Sequence, residues 1–183
     1  TRQYQQFTAS LAELSIDAYR DKATVTDADI QKYYDENKDN LLTDEKRGLT
    51  LIKFSPPAEA EGMTNEAKAQ QRLDFNNRVN EIYAQLAEDE SRFAELAKGL
   101  ATDPANKFPI TVEEVPAFAR ISPPESLKDK TELLDDLFSG ARSIEAGVAV
   151  SVPFPQQEGG YLLFKLTQIV KPVGLTLDEA KEQ

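Results

Sequence analysis

Hydrophobic positions recur at helical spacing in two stretches near the start of the chain. The first stretch places apolar side chains on one helical face, at Tyr4, Phe7, Leu11, Leu14 and Ala18. The second begins after Thr26, a typical N-cap with acidic residues in the following turn, and fades near residues 37–40. Because isolated helices of this length are marginally stable in water, we expect both to need a packing partner.

From Gly48 onward, strand-like and helix-like patterns alternate. Apolar runs and period-two alternation predict strands over residues 48–54, 112–119, 148–154 and 161–170. Helical spacing predicts a helix over residues 65–88 with Thr64 as its N-cap, a short helix with Ser91 as its N-cap, and a third helix over residues 133–139. Residues 156–160 end in Gly-Gly and predict a hairpin turn. The order β, α, α, β, α, β, β predicts an α+β fold, in which helices cover a four-stranded mixed or antiparallel sheet.

These elements suggest three segments. We expect an N-terminal helical segment over residues 1–42, an α+β domain over 43–173 and the start of a C-terminal helix over 174–183. Thr176 and Glu179 have the spacing of a capping box at the start of that last helix. The abrupt start and the helix beginning near the end lead us to expect a piece of a longer parent chain, whose neighbouring domains contact this one.

Charge and composition exclude several kinds of site. The 21 Lys and Arg against 32 Asp and Glu give a net charge of −11, which excludes the basic footprint of nucleic-acid binding. The chain has no Cys and no His, which excludes thiolate nucleophiles, serine–histidine dyads and Cys or His metal ligands. It has no apolar run long enough for direct membrane insertion. We therefore expect no cofactor, no metal and no nucleic acid.

Four motifs follow one another along roughly residues 26–180. They are Thr26 to Asn37, the FAELAK segment of residues 93–98, Leu137-Phe138 followed by Gly147, and the GYLLFKL segment of residues 160–166. Their order and spacing resemble the parvulin-type (PpiC, rotamase) peptidyl-prolyl cis-trans isomerase domain of bacterial extracytoplasmic foldases. The resemblance implies the parvulin-like sheet and an extracytoplasmic (periplasmic) location, with a membrane-anchored parent chain as one alternative.

The resemblance also assigns candidate site residues. Members of the family use two facing histidines on the sheet, an Asp or Cys beside them and an apolar wall. In the R-x-x-H-I-L pattern Thr50 takes the place of the first histidine, and in G-Y-H Leu162 takes that of the second. Asp103 takes the acidic position after F-x-x-L-A, and Phe118 and Phe138 are candidates for the substrate-binding wall.

The loss of both histidines leaves three hypotheses open. A Thr hydroxyl and a Leu cannot rebuild an imidazole network, so we expect weak or absent isomerase activity and chaperone-like binding of unfolded or proline-containing polypeptide clients. The alternatives are an active isomerase that uses Asp103, and a structural inter-domain module without a client site. Asp103 before Pro104 is also typical of a simple turn, and Thr50 of an ordinary strand position.

Overall fold

The computed structural model describes residues 24–182. Its helices are α1 (Asp27–Asn37), α2 (Asn65–Glu88), α3 (Phe93–Leu100), α4 (Thr131–Leu137) and α5 (Leu177–Glu182). Its strands are β1 (Lys46–Phe54), β2 (Ile110–Ala119), β3 (Phe154–Pro155) and β4 (Tyr161–Val170). The helix predicted over Tyr4 to Ala18 lies outside the described residues. Within residues 24–182, no helix combines the length and the apolar character that a membrane span requires.

The chain forms two compact units. The larger unit spans residues 43–173 and contains the sheet with α2, α3 and α4. The smaller unit contains α1 and α5 within the described residues 24–42 and 174–182. In the smaller unit, Tyr34 Oη donates to the carbonyl of Leu175 at 2.7 Å, and Leu42 bridges Gly174. These contacts attach the segment before α5 to α1.

The four strands form one antiparallel sheet in the order β2-β1-β4-β3. This confirms the predicted α+β class. The ladder of β1 has an irregularity at Gly48–Leu49, where a Cβ on Gly48 would lie 3.2 Å from the Ala117 nitrogen. Glycine permits this close approach of the backbones. Among the described strands, β2 pairs only with β1, so it is an edge strand, and it carries Pro116.

The two faces of the sheet pack against different helices, because successive side chains of a strand point to opposite faces. On the α2/α3 face the buried residues include Ile52, Phe54, Leu163, Phe75, Val79, Ile82 and Phe93. On the α4 face they include Leu49, Leu51, Leu162, Phe164, Leu166, Leu133 and Leu137. The core therefore lies in two layers, one on each side of the sheet.

The start of α3 differs from the prediction. Ser91 is not its N-cap; instead a 3₁₀ turn over Glu90–Arg92 precedes α3, and the Asp89 side chain accepts from the Ser91 nitrogen. The predicted cap at Thr64 is present, since its hydroxyl accepts from the Ala67 nitrogen at 3.2 Å at the start of α2. The carboxylate of Asp89 is a stronger hydrogen-bond acceptor than the hydroxyl of Ser91, so Asp89 takes the capping role.

The predicted strand over residues 148–154 is wrong as a continuous strand. Only Phe154–Pro155 forms β3, because Pro153 has no N–H to extend a ladder. The preceding residues keep isolated pairings, with Val150 bridging Lys165 and Ser151 N donating to the Phe164 carbonyl at 2.8 Å. The segment thus lies beside β4 without forming a regular ladder with it.

Candidate functional site

A groove opens on the α4 face at one end of the sheet, where β1 ends and β4 begins. Its floor contains Leu51 of β1 and Leu162 of β4, which are 5% and 4% exposed. The cavity has a volume of about 420 Å³. Its remaining lining residues are Lys53, Thr111, Glu113, Ser126, Lys130, Gln156, Gln157 and Glu158.

A second cavity of about 460 Å³ continues this groove along the start of α4. Residues 129–133 line one side and residues 154–157 of the hairpin line the other. The two cavities share Lys130, Gln156 and Gln157. We call the combined depression the α4 groove.

The α4 groove has an aliphatic floor and a polar rim. Lys53 and Lys130 lie on the rim with Glu113 and Glu158, so both signs of charge are present. Within residues 24–182, none of these four side chains forms an ion pair. The floor can accept an aliphatic or prolyl side chain, while the rim can exchange hydrogen bonds with a backbone.

Thr50 does not lie in this groove. It is on β1 between Leu49 and Leu51 and points to the α2/α3 face, where its hydroxyl donates to the Glu114 carboxylate at 3.0 Å. The strand register pairs Thr50 with Lys165 and Leu162 with Lys53. Thr50 and Leu162 are therefore on neighbouring strands but on opposite faces, so they do not face each other as the family's two histidines do.

Asp103 also lies outside the α4 groove. It follows α3, where its Oδ1 accepts from the Ala105 nitrogen at 2.9 Å and its Oδ2 accepts from Arg78 Nη2 of α2 at 3.1 Å. Arg78 Nε also donates to Asn106 Oδ1 at 2.8 Å. This geometry corresponds to the turn interpretation of Asp103, because the side chain fixes the backbone two residues ahead.

Phe118 and Phe138 contact each other away from the groove. Their ring centroids are 5.8 Å apart in an edge-to-face arrangement, and the Arg47 guanidinium lies 5.7 Å from the centre of Phe138. Arg47 Nη1 also donates to the carbonyls of Leu137 and Ser139 at the end of α4. The pair packs at the end of α4 opposite the groove and does not line it.

Sequence reasoning missed most of the groove residues. It identified Leu162, but not Leu51, Lys53, Lys130 or Gln157, which lie beside it. The alternation of β1 separates Leu51 and Lys53 from Thr50, yet only the pairing register shows which set shares a face with Leu162. No signal in the sequence alone supplies that register.

The lowered carboxyl pKa values belong to other parts of the molecule. Hydrogen bonds from the Thr26 side chain and backbone lower the pKa of Asp29, and those from Thr176 lower the pKa of Glu179. Both groups lie at helix starts. Within residues 24–182, no three acidic side chains converge in a way that could hold a metal ion.

A family model described as the PPIC-type PPIASE domain matches residues 25–182. The chain belongs to this family. The PPIC-type PPIASE domain is a parvulin-like peptidyl-prolyl isomerase domain, so the resemblance to a parvulin-type domain is confirmed. In this PPIC-type domain, which contains no His, aliphatic side chains occupy the groove floor on both central strands. Among curated proteins, none matches the chain.

Proposed function

We propose that this PPIC-type domain binds extended segments of unfolded polypeptides in the α4 groove and acts as a chaperone with little or no isomerase activity. The observation that supports this most directly is the floor of Leu51 and Leu162. Leu162 occupies the second histidine position of the family pattern. Leu49 and Leu51, which flank Thr50 on the groove side, are both buried leucines.

An aliphatic floor favours binding over catalysis. Rotation about an X–Pro bond has a barrier of about 18–20 kcal/mol, because amide resonance is lost in the twisted state. An enzyme accelerates the rotation only by binding the twisted amide more tightly than the planar one. Leucine side chains contact a prolyl ring similarly in both states, so they contribute affinity without lowering the barrier.

The expected affinity is low. Burying one aliphatic side chain contributes about 1.5–3 kcal/mol, and ordering an unfolded segment offsets part of that gain. A segment held by one such residue and a few rim hydrogen bonds should therefore bind with a dissociation constant in the micromolar range or weaker. Weak, sequence-tolerant binding suits the transient protection of many clients.

The proposal includes the cellular compartment in which the domain acts and the longer chain to which it belongs. The resemblance to bacterial extracytoplasmic foldases supports action in the periplasm, as one domain of a longer parent chain. Neighbouring domains of that parent would then present clients to the groove. Localisation of the full-length parent by cell fractionation tests this, and a cytoplasmic parent would contradict it.

A protease-coupled assay on proline-containing tetrapeptides tests the isomerase part. We expect no saturable acceleration over the uncatalysed rate, and no difference between the wild-type domain and Asp103→Ala. Saturable turnover that Asp103→Ala abolishes would contradict the proposal and restore the active-isomerase hypothesis.

Suppression of aggregation of a denatured client tests the chaperone part. Thr111→Trp should fill the groove with an indole ring and weaken suppression by about tenfold, equivalent to ~1.4 kcal/mol of binding. Thr167→Trp is a matched control, since Thr167 is also an exposed strand threonine but does not line the groove. Equal suppression by both variants would show that clients bind elsewhere. Absence of suppression by the wild-type domain would contradict a chaperone role.

A further inference from the structure

An aromatic slot lies just beyond the same end of the sheet, between α2 and the β3–β4 hairpin. Its base is Phe75, which is 3% exposed and meets Phe108 edge-on with centroids 4.7 Å apart. Tyr161 lies 5.8 Å from Phe75 and donates from Oη to Asn76 Oδ1 at 3.1 Å. Pro57, Gln71 and Phe75 line both cavities of the slot, one of about 550 Å³ beside the hairpin and one of about 330 Å³ beside Phe108.

The aromatic slot is continuous with the α4 groove. Gln157 and Glu158, in the hairpin, line both the groove and the larger cavity of the slot. Leu162 in the groove and Tyr161 in the slot are consecutive residues of β4 that point to opposite faces of the sheet. A path therefore runs from one face, around the hairpin tip, to the other.

The chemistry of this path fits an extended polypeptide. Two apolar anchor points on opposite faces of one sheet end require a long ligand that bends around the hairpin. Side-chain amides line the path at Gln71, Asn76, Gln156 and Gln157, and their oxygens can accept from a peptide backbone. The nitrogens of Asn76 and Gln157 can also donate to it, whereas those of Gln71 and Gln156 donate to carbonyls of the chain itself. Charges of both signs on the rim give no preference for a highly charged ligand, and the net charge of −11 opposes nucleic acid.

We propose that a single client segment binds both sites, with an aliphatic or prolyl side chain in the α4 groove and an aromatic side chain in the aromatic slot. This inference rests on the proposed function and specifies its client class. Aromatic rings favour edge-to-face and offset contacts with each other. The half-buried Tyr161 offers such contacts to a ring in the larger cavity, and the half-buried Phe108 offers them to a ring in the smaller cavity.

Labelled, unstructured peptides with one Leu-Pro pair and one Phe test this directly. Gly-Ser spacers of about two to about eight residues would vary the separation at ~3.3 Å per extended residue. At the best spacer, fluorescence anisotropy should show binding about tenfold tighter than for peptides carrying either anchor alone. The inference would be overturned if the two-anchor peptides bound no more tightly than the single-anchor peptides, or if their affinity did not depend on spacer length.

Adjacent residues of α2 provide a matched pair of variants. Gln71 lines the slot, whereas Gln70 is exposed and does not, so Gln71→Trp should fill the slot and Gln70→Trp should not. Gln71→Trp should remove the gain from the Phe anchor and leave binding of the Leu-Pro peptide unchanged. Thermal unfolding of both variants checks that the fold is retained.

The outcomes separate the two proposals. If Gln71→Trp still binds the two-anchor peptide as tightly as the wild type does, the two-site inference is wrong while the proposal of groove binding stands. If Thr111→Trp does not weaken binding of the Leu-Pro peptide, the proposed groove function is wrong, and the two-site inference fails with it.

Discussion

At the scale of single residues, Gly160 marks where the β3–β4 hairpin meets the end of β1. A Cβ at this position would lie 2.4 Å from the Phe54 carbonyl oxygen and 3.4 Å from Pro56 Cδ. The first contact is with backbone of a central strand, which cannot move aside without disturbing the sheet. The close approach therefore excludes any larger residue.

We expect Gly160→Ala to lower the free energy of unfolding by about 1–3 kcal/mol, as overpacking does. Gly140→Ala is the control, because a Cβ there has no atom within 4 Å. That change should leave stability unchanged or raise it by up to about 1 kcal/mol. Urea titration measures both, and equal losses at the two positions would contradict the steric explanation.

Thr50 offers a second residue-scale prediction. Thr50→Val keeps the shape of a strand residue but removes the hydroxyl that donates to Glu114. We expect the free energy of unfolding to fall by about 0.5–1.5 kcal/mol, while peptide binding in the α4 groove stays unchanged. A loss of binding at constant stability would place Thr50 in the site after all.

The same residue shows how far the sequence could predict the site. The motifs located β1 and β4, and Leu162 does lie in the groove. Thr50 was assigned to the same site, but a shift of one residue moves a side chain to the other face of a strand. The irregular ladder at Gly48–Leu49 contributes to the register of β1 against its neighbours. Such a register depends on contacts between strands distant in sequence.

At the scale of elements, both side chains and a short backbone pairing with β4 hold residues 148–151. Glu90 Oε1 accepts from the nitrogens of Ala149 and Val150 at 3.0 and 3.1 Å. Arg142 Nη1 donates to the Val150 carbonyl at 2.6 Å. Ala149, Val150 and Ser151 are buried in succession while Val148 and Val152 are exposed, so burial does not follow the alternation that predicted a strand. Side chains from elsewhere in the chain hold this backbone where a regular ladder is missing.

We expect Glu90→Ala to destabilise this segment by about 1–3 kcal/mol, because two part-buried N–H groups lose their acceptor. Hydrogen exchange should speed up at Ala149 and Val150 and remain unchanged in the middle of α2. Glu88→Ala, at an exposed neighbouring position, is the control. Unchanged exchange at Ala149 and Val150 would show that Glu90 does not hold them.

The helices were easier to predict than this segment. Thr64 and the apolar positions of α2 fix that helix locally, and its predicted bounds match Asn65–Glu88. Capping and helical spacing act within a few residues, so a single stretch of sequence contains the whole signal.

At the scale of the whole molecule, the lowered carboxyl pKa values predict an acid limit to stability. Hydrogen bonds from the Ser91 side chain and backbone lower the pKa of Asp89, and those from Lys68 and Arg72 lower the pKa of Glu59. A carboxyl group whose pKa is lower in the folded state than in the unfolded state stabilises the folded state at any pH above its unfolded-state pKa. That contribution is lost as the pH falls through the folded value.

We therefore expect the midpoint of thermal unfolding to be steady near neutral pH and to fall below about pH 4. Because protonation also removes self-repulsion from a chain of net charge −11, the comparison needs a variant. The difference in midpoint between wild type and Asp89→Asn should shrink between about pH 6 and about pH 3. A constant difference over that range would contradict the assignment.

The edge strand β2 has a consequence for the aggregation of the domain. An uncovered strand invites the addition of another strand, which is how misfolded chains recruit one another into growing aggregates. Pro116 interrupts the row of N–H groups on β2, and the exposed Glu113 and Glu114 place like charges against any identical neighbour. For a domain with the proposed chaperone function, these features of β2 oppose its acting as a seed on which unfolded clients aggregate.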